Sequence, residues 1–298
     1  EAVRPYLMEA CALIGAAEAE RRVLVLENPG MPGQSRATQN LFAGLQIILP
    51  GEIAPPHRHA ASALRFIIEG RNAYTAVGGE RTTMSPGDFV ITPSMAWHDH
   101  GNESDGPMVW LDGLDMHIVN LLGTSFREGH PDRTHPITRP EGAAWAEAGS
   151  NMLPIDQTYK SQTSPIFNYP YARTREALHQ LSRAREADPW HGFKMKYINP
   201  VHGGWAMPTI ATWMQLLPAG LQTKPYRSTD STVYTVVEGR GHSIVGGQRF
   251  DWGPHDIFVA PSWVPHHHVA AGDAVLFGYS DRVVHEKLDL WREERLEG

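Results

Sequence analysis

The stretch Gly51-Glu-Ile-Ala-Pro-Pro-His57-Arg-His59 decides the fold, and Pro93-Ser-Met-Ala-Trp-His98-Asp-His100-Gly-Asn102 is its counterpart downstream. Residues i and i+2 of a β-strand point to the same face, so His57 and His59 can direct two ring nitrogens at one point. His98 can approach that point from a partner strand. Three neutral nitrogens in one pocket form a metal site, and three protein ligands leave coordination positions open for chemistry. The two segments therefore predict a metal site on neighbouring β-hairpins.

The composition is that of a globular protein with neither a nucleic-acid nor a membrane partner. The chain has 298 residues, 41% of them hydrophobic and 20% charged, which is enough for one large or two medium domains. The net charge of -7 argues against a nucleic-acid or anionic membrane surface, and no apolar run approaches the length of a membrane span. The single cysteine, Cys11, excludes an internal disulfide framework and predicts a cytoplasmic location. The chain starts at Glu1 without an initiator Met or a signal peptide, so we expect that an N-terminal piece is missing.

Short β-rich runs separated by Gly and Pro make up most of the chain. Residues 22–115 and 210–279 contain many such runs, among them residues 73–77 and 89–92, with turn signals such as Glu69-Gly70 and Gly78-Gly79, and residues 120–170 are loop-rich. Residues 1 to about 20 and residues 174–186 carry apolar side chains at helical spacing. Many short strands with regular turns predict a β-sandwich or a small barrel with a few helices.

The two β regions form an internal repeat. Turn glycines, a proline and a histidine recur in the same order: Gly51 with Gly220, Gly70 with Gly239, Gly79 with Gly247, Pro93 with Pro261 and His98 with His266. The offset is 169 residues for the first two pairs and 168 for the other three. This regularity predicts two copies of one fold.

Both copies resemble the cupin motifs. Four positions of the first motif, G-x5-H-x-H-x3-E-x6-G, are present: Gly51, His57, His59 and Gly70. Four positions of the second motif, G-x5-P-x-G-x2-H-x3-N, are present: Gly87, Pro93, His98 and Asn102. Ala63 stands at the Glu position and Met95 at the internal Gly position, while the second copy has Tyr226 and Ser228 in place of the paired histidines. The resemblance implies a mainly β bicupin, with two double-stranded β-helix (jelly-roll) barrels, flanking helices and a metal site in the first barrel.

Longer strings resemble the gentisate 1,2-dioxygenase family, which includes relatives acting on salicylate and 1-hydroxy-2-naphthoate. They are found at residues 21–29, 62–70, 97–102, 110–115 and 164–170. The resemblance covers nearly the whole chain and implies a ring-cleaving dioxygenase of aromatic catabolism, a homotetramer with one Fe(II) per subunit. Its substrates would be O2 and a small aromatic ortho-hydroxy carboxylate, and gentisate would give maleylpyruvate.

The β-rich and helical patterns, together with the resemblance, divide the chain into four segments. Residues 1–21 would be an N-terminal helical segment with a truncated arm, and residues 22–125 the cupin with the metal site. Residues 126–195 would be a connector with a helix. Residues 196–298 would be a second cupin without metal ligands, in which we interpret the run His266-His267-His268 as a remnant or an interface feature.

Arg65 and His100 are the residues we expect to act on the substrate. Arg65 lies six residues after His59 and shares its inward parity, and a guanidinium can hold a carboxylate through two hydrogen bonds. The family resemblance assigns Arg65 the same role. His100 faces the same side as His98, so its imidazole can bond the substrate phenol or oxygen as an acid or base.

Further candidates for substrate binding surround these two residues. The family resemblance adds help from Arg21 or Arg22. Gln46 lies inside an otherwise apolar strand and can orient the ligand, and Asp112 is a candidate partner for an imidazole N–H. Two aromatic side chains can form walls for the substrate ring: Phe42 and Trp97.

The absence of a Glu ligand also bears on the substrate. Many Fe(II) oxygenases use two His and one carboxylate, whereas three neutral imidazoles leave the ion its full 2+ charge. A dianionic chelator, such as an ortho-hydroxybenzoate bound through carboxylate and phenolate, would neutralise that charge. Ala63 therefore favours an anionic bidentate substrate.

Two other classes of protein remain open from the sequence. One is a different metal-dependent cupin enzyme, such as a bicupin decarboxylase or a sugar isomerase, and Ala63 argues against most of these. The other is a non-enzymatic storage or small-molecule-binding bicupin. That class tends to lose its histidines in both repeats, whereas His57, His59 and His98 are intact here.

Overall fold

Antiparallel β-sheets make up most of the structure, a computed structural model that describes residues 2–15 and 22–297. The chain divides into two units. The first comprises Glu1–Arg36, Leu41–Tyr171 and Asn199–Met207, and the second comprises Ala37–Asn40, Ala172–Ile198 and Pro208–Gly298. Each unit contains two sheets, and the prediction of a mainly β bicupin with flanking helices is confirmed.

The first unit contains the strands that carry the predicted metal ligands. Its helices are α1 (Arg4–Leu13), α2 (Met116–Leu121) and α3 (Ala143–Ala148). Its strands are β1 (Arg22–Val25), β2 (Phe42–Ile48), β3 (Ile53–His59), β4 (Ala63–Glu69), β5 (Ala73–Val77), β6 (Glu80–Thr83), β7 (Phe89–Thr92), β8 (His98–Asn102), β9 (Met108–Leu114), β10 (Arg127–Gly129) and β11 (Asn168–Tyr169). One sheet has the order β1-β2-β9-β4-β7-β11 and the other β10-β3-β8-β5-β6.

The second unit repeats this topology. Its helices are α4 (Tyr171–Ala184, all but the first residue) and α5 (Arg282–Lys287). Its strands are β12 (Phe193–Lys196), β13 (Ala211–Leu217), β14 (Tyr226–Ser228), β15 (Thr232–Glu238), β16 (Gly241–Val245), β17 (Gln248–Trp252), β18 (Ile257–Ala260), β19 (His266–Ala270), β20 (Ala274–Ser280) and β21 (Glu293–Arg295). The order β13-β20-β15-β18 repeats β2-β9-β4-β7, and β14-β19-β16-β17 repeats β3-β8-β5-β6.

The predicted helices are present with shifted ends. The described part of the N-terminal helix ends at Leu13, because Ile14 is already extended. The second helix starts at Tyr171, three residues before the predicted start, because the Asp88 carboxylate accepts the Tyr171 N–H at 2.8 Å and so satisfies a donor of the first turn. The predicted connector is shared: β10 and β11 extend the sheets of the first unit, and β12 joins a sheet of the second. No described helix has the length and hydropathy that crossing a membrane requires.

Turn glycines explain part of the repeat. Gly70 and Gly239 have φ values of 94° and 83°, a region that side chains with a Cβ rarely adopt. A Cβ at Gly70 would lie 2.5 Å from the Pro107 carbonyl oxygen, and one at Gly239 would lie 2.3 Å from the Asp273 carbonyl oxygen. Both turns therefore need glycine for conformation and for space.

Met95 occupies a turn where the cupin motif has glycine. Its φ is 60°, and its N–H bonds to the His59 carbonyl at 2.8 Å, which ties the turn to the end of β3. Trp263, the equivalent residue of the second repeat, has a φ of 59° and bonds to the Ser228 carbonyl at 2.7 Å. The turn is thus retained in both copies without the residue that adopts it most easily.

We expect Met95→Gly to be more stable than Met95→Ala by about 1 kcal/mol, because only glycine removes the steric cost of the left-handed conformation. Both variants lose the same side chain, so the alanine variant controls for lost contacts. Melting temperatures compare the two, with an expected difference of about 2–4 °C. Equal melting temperatures would show that the turn imposes no such cost.

Candidate metal centre

Three histidine rings meet inside the first unit. His57 and His59 lie on β3 and His98 lies on β8, and one ring nitrogen of each lies within 4.8 Å of the others. The ring centroids are 4.3 Å apart for His57 and His98 and 4.9 Å apart for His59 and His98. All three side chains are buried. The two motif segments thus bring three imidazoles to one point.

A β-bulge in β3 sets the direction of these rings. Ala54 pairs with His100 of β8. The next pair is His57 with His98, so β3 has one residue more than β8 in this interval. The extra residue falls at Pro55-Pro56, where the chain has no N–H to donate to the ladder. Because a bulge redirects the side chains that follow it, His57 faces inward in register with His98.

Backbone carbonyls orient the three rings. Each Nδ1 lies near a carbonyl oxygen two residues away: His57 near Pro55 at 2.9 Å, His59 near Ala61 at 2.7 Å and His98 near Ala96 at 3.0 Å. A carbonyl only accepts hydrogen bonds, so each Nδ1 carries the proton and each Nε2 keeps its lone pair. The buried Nε2 of His98 has no hydrogen-bond partner among the described residues.

The electrostatics keep His98 in the form that binds metal. Burial lowers the pKa of His98 well below its usual value, and the charges of Arg65, His57 and His59 lower it further. The ring is therefore neutral near pH 7, and a metal ion would not have to displace a proton from it.

The donor set fits a divalent transition metal with open coordination positions. It offers three imidazole nitrogens, the ligand type that suits iron, zinc or copper. Position 63, where the cupin motif has Glu, holds an alanine packed in an apolar cluster with Ala61 and Leu114, against which Phe42 also packs. No carboxylate is therefore added to the three nitrogens from this position.

Arg65 places a buried cation beside the imidazoles. Its guanidinium donates to the Thr92 hydroxyl, and its Nε lies 3.6 Å from Oδ1 of Asp112, which is opposite it on β9. Asp112 Oδ1 also accepts the Trp110 indole N–H at 3.0 Å. These contacts orient the guanidinium. Asp112 also provides the nearby counter-charge that a buried cation needs. Asp112 was predicted as a partner of an imidazole, and here it contacts Arg65 and Trp110.

His100 is held by a buried relay. Its Nδ1 lies 2.8 Å from the Thr75 hydroxyl oxygen, and that hydroxyl donates to the Met84 sulfur at 3.1 Å. A Thr75 hydroxyl that donates its one proton to the sulfur accepts from Nδ1 of His100, and we assign this ring the Nδ1–H tautomer on that basis. In that tautomer Nε2 of His100 carries a lone pair and no proton.

Comparisons with known proteins identify the family. A cupin-domain profile matches residues 44–114 and 212–277. A protein named gentisate 1,2 dioxygenase 1, from Aquipseudomonas alcaligenes, is 58% identical over 295 residues, which cover 99% of this chain and 85% of the relative. The chain belongs to the gentisate 1,2-dioxygenase family. Like its relatives, it is a dioxygenase.

The gentisate 1,2-dioxygenase family includes enzymes named for other substrates. A 5-aminosalicylate 1,2-dioxygenase from a Comamonas species is 37% identical, with 98% of this chain and 79% of the relative covered. The structure of a salicylate 1,2-dioxygenase from Pseudoaminobacter salicylatoxidans, solved as adducts with gentisate, superimposes with a TM-score of 0.93. That match has 32% identity and covers 100% of this chain and 83% of the other.

The structure does not bring Arg22 to the imidazoles. Its guanidinium pairs with the Glu52 carboxylate and donates to the Ile14 carbonyl at 3.2 Å. In the register of β1 and β2, Arg22 lies opposite Ile47, whereas Val23 lies opposite Gln46, so Arg22 is on the other face of the sheet from Gln46. The expectation that Arg22 binds substrate in this family member is not supported by its contacts. Arg21 lies outside the described residues.

Trp97 also lies away from the site. Its ring contacts His130, with centroids 4.7 Å apart, and the Arg58 guanidinium lies 4.7 Å from its ring centroid. Arg58 stands between His57 and His59 on β3 and so points to the opposite face. Trp97 therefore packs on the outer side of this sheet and forms no wall of the site.

Gln46 and Phe42 point to the same face of β2. Gln46 is buried on β2 opposite Trp110, and its Oε1 has no hydrogen-bond partner among the described residues. Phe42 lies opposite Leu114, whose other neighbour is Ala63. The Phe42 ring is thus in the row of side chains that contains the substituted Glu position.

Sequence reasoning missed Thr75, Met84, Thr92 and Trp110. Thr75 pairs with His100 in the register of β5 and β8, and Thr92 pairs with Ala63 in that of β4 and β7. Strand parity within the correctly predicted runs 73–77 and 89–92 would have indicated two inward hydroxyls. The residues with which these two hydroxyls pair could be identified only from the strand register of the folded structure.

Proposed function

We propose that the chain is an Fe(II)-dependent gentisate 1,2-dioxygenase that converts gentisate and O2 to maleylpyruvate. The observation that carries the proposal is a buried cluster of three imidazoles, with the charge of Arg65 close enough to lower the pKa of His98, in a member of this family. In the reaction the bond between the carboxyl-bearing and hydroxyl-bearing ring carbons breaks. Both atoms of O2 are retained in the product.

His57, His59 and His98 would hold one Fe(II) per subunit. When bound, a ferrous ion supplies the redox chemistry that lets O2 react with an aromatic ring. The three neutral rings leave the ion's charge intact, so the site favours a substrate with two adjacent anionic oxygens. A carboxylate and an ortho-phenolate provide them.

Arg65 would bind the substrate carboxylate. Its side chain is fully buried, and Thr92 and Asp112 hold its guanidinium close enough to lower the pKa of His98 by its charge. Charge-assisted hydrogen bonds from a guanidinium to a carboxylate define both position and angle. The substrate ring would then have a fixed orientation relative to the imidazoles.

His100 would accept the phenolic proton. The Thr75 relay leaves Nε2 with its lone pair, and the His100 ring lies next to that of His98, with centroids 5.8 Å apart. Transfer of the proton to Nε2 gives an imidazolium whose Nδ1–H still donates to Thr75. The buried relay thus holds the base in one tautomer before and after the transfer.

Phe42 and Gln46 would complete the binding surface. Phe42 would pack against the ring, and the Gln46 amide would accept or donate one hydrogen bond to a ring substituent. Gentisate is preferred in this proposal because the relative with 58% identity bears its name. Salicylate and 1-hydroxy-2-naphthoate are the second candidates, because relatives named for substrates of this class are 32–37% identical. We further propose a cytoplasmic homotetramer, as the family resemblance implies.

Oxygen uptake tests the proposal. The protein is loaded with Fe(II) under anaerobic conditions and offered gentisate, salicylate and 1-hydroxy-2-naphthoate separately. Rapid uptake of one O2 per gentisate with a new near-ultraviolet product band is the expected result. No uptake with any of the three, despite bound iron, would contradict the proposal. Faster uptake with salicylate than with gentisate would instead favour salicylate as the substrate.

The relay gives a separate prediction. Thr75→Val keeps the shape of the side chain but removes the acceptor for His100 Nδ1, and we expect kcat to fall by about 100-fold with KM changed little, since general base catalysis contributes on the order of 100-fold or more. Met84→Leu should give a smaller loss, because the Thr75 proton can then turn toward His100. Nitrogen-15 chemical shifts of the His100 ring report the tautomer directly.

Ser243→Ala is the matched control for this relay. Ser243 is the equivalent of Thr75 in the second repeat, and its hydroxyl oxygen lies 2.8 Å from Nδ1 of His268. This variant should keep wild-type kcat. Unchanged kcat in Thr75→Val would remove His100 from the proposed base role.

A further inference from the structure

The second unit contains a cation where the first has an apolar side chain. Lys194 on β12 lies opposite Gln215 of β13, just as Val23 on β1 lies opposite Gln46 of β2. Gln215 and Gln46 are equivalent in the repeat, at an offset of 169 residues. Lys194 therefore enters the second barrel on the same side on which Val23 enters the first.

The ammonium of Lys194 lies in an interior lined by aromatic rings and histidines. Its Nζ is 4.0 Å from the centroid of the Trp213 ring, and Trp213 contacts Tyr234 with centroids 6.1 Å apart. The Tyr234 hydroxyl in turn lies 3.3 Å from Nε2 of His266. The charge of Lys194 also contributes to the lowered pKa values of His266 and His268, so it lies close to both rings.

No described carboxylate forms a salt bridge with Lys194. Burial lowers the pKa of Lys194 to about 8, and the nearby Asp230, Glu293 and Asp188 offset only part of this effect. Each of these carboxylates has another partner: Asp230 accepts from Trp291 at 3.0 Å, Glu293 from Tyr226 at 2.9 Å and Asp188 from Arg295 at 3.3 Å. The Lys194 residue as a whole is half-buried, and an ammonium withdrawn from water without a paired anion is costly, which indicates that the barrel interior can receive an anion.

Two buried polar atoms near Lys194 also have no hydrogen-bond partner among the described residues. They are Nε1 of Trp213 and Oε1 of Gln215, and both side chains are at most 3% exposed. The Gln215 amide orientation is defined, because its Nε2 donates to the His191 carbonyl at 2.8 Å. An unsatisfied buried donor such as the Trp213 N–H costs about 1–3 kcal/mol, so this group indicates a ligand with acceptor oxygens.

These features favour an organic anion over a metal ion. Tyr226 and Ser228 stand where β3 has His57 and His59, and among the described residues only His57, His59 and His98 form a cluster that could hold a metal ion. A carboxylate offers two oxygens, one for the ammonium and one for the indole N–H, and its apolar part would contact Trp213 and Tyr234. We propose that the second barrel binds a small organic carboxylate through Lys194 and Trp213, independently of the metal site.

Benzoate binding tests this site, because benzoate has a carboxylate but no ortho-hydroxyl. Isothermal titration of the iron-loaded protein without O2 gives the number of benzoates per chain for the wild type, Lys194→Met and Lys196→Met. Lys196 lies on the same strand, is exposed and has the same chemistry, so it is the matched control. We expect the Lys194 variant to bind one benzoate fewer than the wild type, or to bind it at least 10-fold more weakly, and the Lys196 variant to match the wild type.

The outcomes are separable from those of the proposed function. Gentisate-dependent oxygen uptake at wild-type level in Lys194→Met would show that the variant is folded, and the titration does not depend on turnover. A crystal structure with benzoate should place one carboxylate between Nζ of Lys194 and Nε1 of Trp213. Equal benzoate binding by wild type and Lys194→Met, or no benzoate in the second barrel at saturation, would overturn the proposal.

Discussion

We expect Arg65→Met to lose about 1000-fold in kcat/KM for gentisate while iron stays bound. The variant loses two charge-assisted hydrogen bonds to the substrate carboxylate, each contributing about 1.5–3 kcal/mol, and each 1.36 kcal/mol corresponds to about tenfold in rate. Arg65→Lys keeps the charge but not the planar pair of donors, so its loss should be about 100-fold. Steady-state kinetics measured with iron content per chain check both values.

Two further variants separate binding from stability. Arg65→Met leaves the buried Asp112 carboxylate without its cation, which would cost about 3–5 kcal/mol of unfolding free energy. Combining it with Asp112→Asn should restore stability but not activity, since the amide can still accept the Trp110 N–H. Arg58→Met is the matched control on the outer face of β3, where Arg58 contacts Trp97 and Glu128. If Arg65→Met and Arg58→Met have the same kcat/KM, the carboxylate role of Arg65 is wrong.

We expect His98→Ala to lose both iron and activity. One of three ligands is removed, and since loss of even an outer-shell partner costs about 10–100-fold in metal affinity, the loss here should be at least about 100-fold. His98 is buried and neutral, so the change leaves a cavity and no unpaired charge. Iron per chain after dialysis, measured by mass spectrometry, and oxygen uptake should fall together, and His57→Ala should behave in the same way.

His266→Ala is the matched control for this prediction. His266 is the equivalent of His98 in the second repeat and is buried as well, but β14 provides Tyr226 and Ser228 instead of two imidazoles. Burial lowers its pKa to about 4, so it too is neutral near pH 7. This variant should keep one iron per chain. Full iron retention in His98→Ala, or equal loss in both variants, would refute the assignment of His57, His59 and His98 as the ligands.

Strand periodicity allowed most of the fold and the three imidazoles to be predicted. The runs 73–77 and 89–92 match β5 and β7 residue for residue, because apolar segments of this length bounded by turn residues have few alternatives. The repeat identified the second barrel. Aligning the two copies also showed that the second lacks the pair of histidines two residues apart. Arg65 was found for the same reason, as a charge at an inward position of an apolar strand.

Side-chain direction at the strand ends was predicted less well. Arg22 and Trp97 each adjoin a residue that belongs to the site or faces it, Val23 and His98, and a shift of one residue in a strand reverses the face. The neighbouring sequence does not indicate to which face of the sheet these two side chains point. That direction depends on contacts with residues distant in the sequence: Arg22 pairs with Glu52, and Trp97 packs against Arg58.

The sequence by itself determined that two β-barrels would form, that only the first would contain an H-x-H pair with a third histidine, and that no Glu would join them. These properties depend on residue type and spacing along one strand. The tertiary structure alone decided the bulge at Pro55-Pro56, the pairing of Arg65 with Asp112, the hydroxyl relay behind His100 and the unpaired ammonium of Lys194. Each of these depends on the register between strands that are far apart in the chain, because a hydrogen bond or ion pair forms only between atoms that the register brings together.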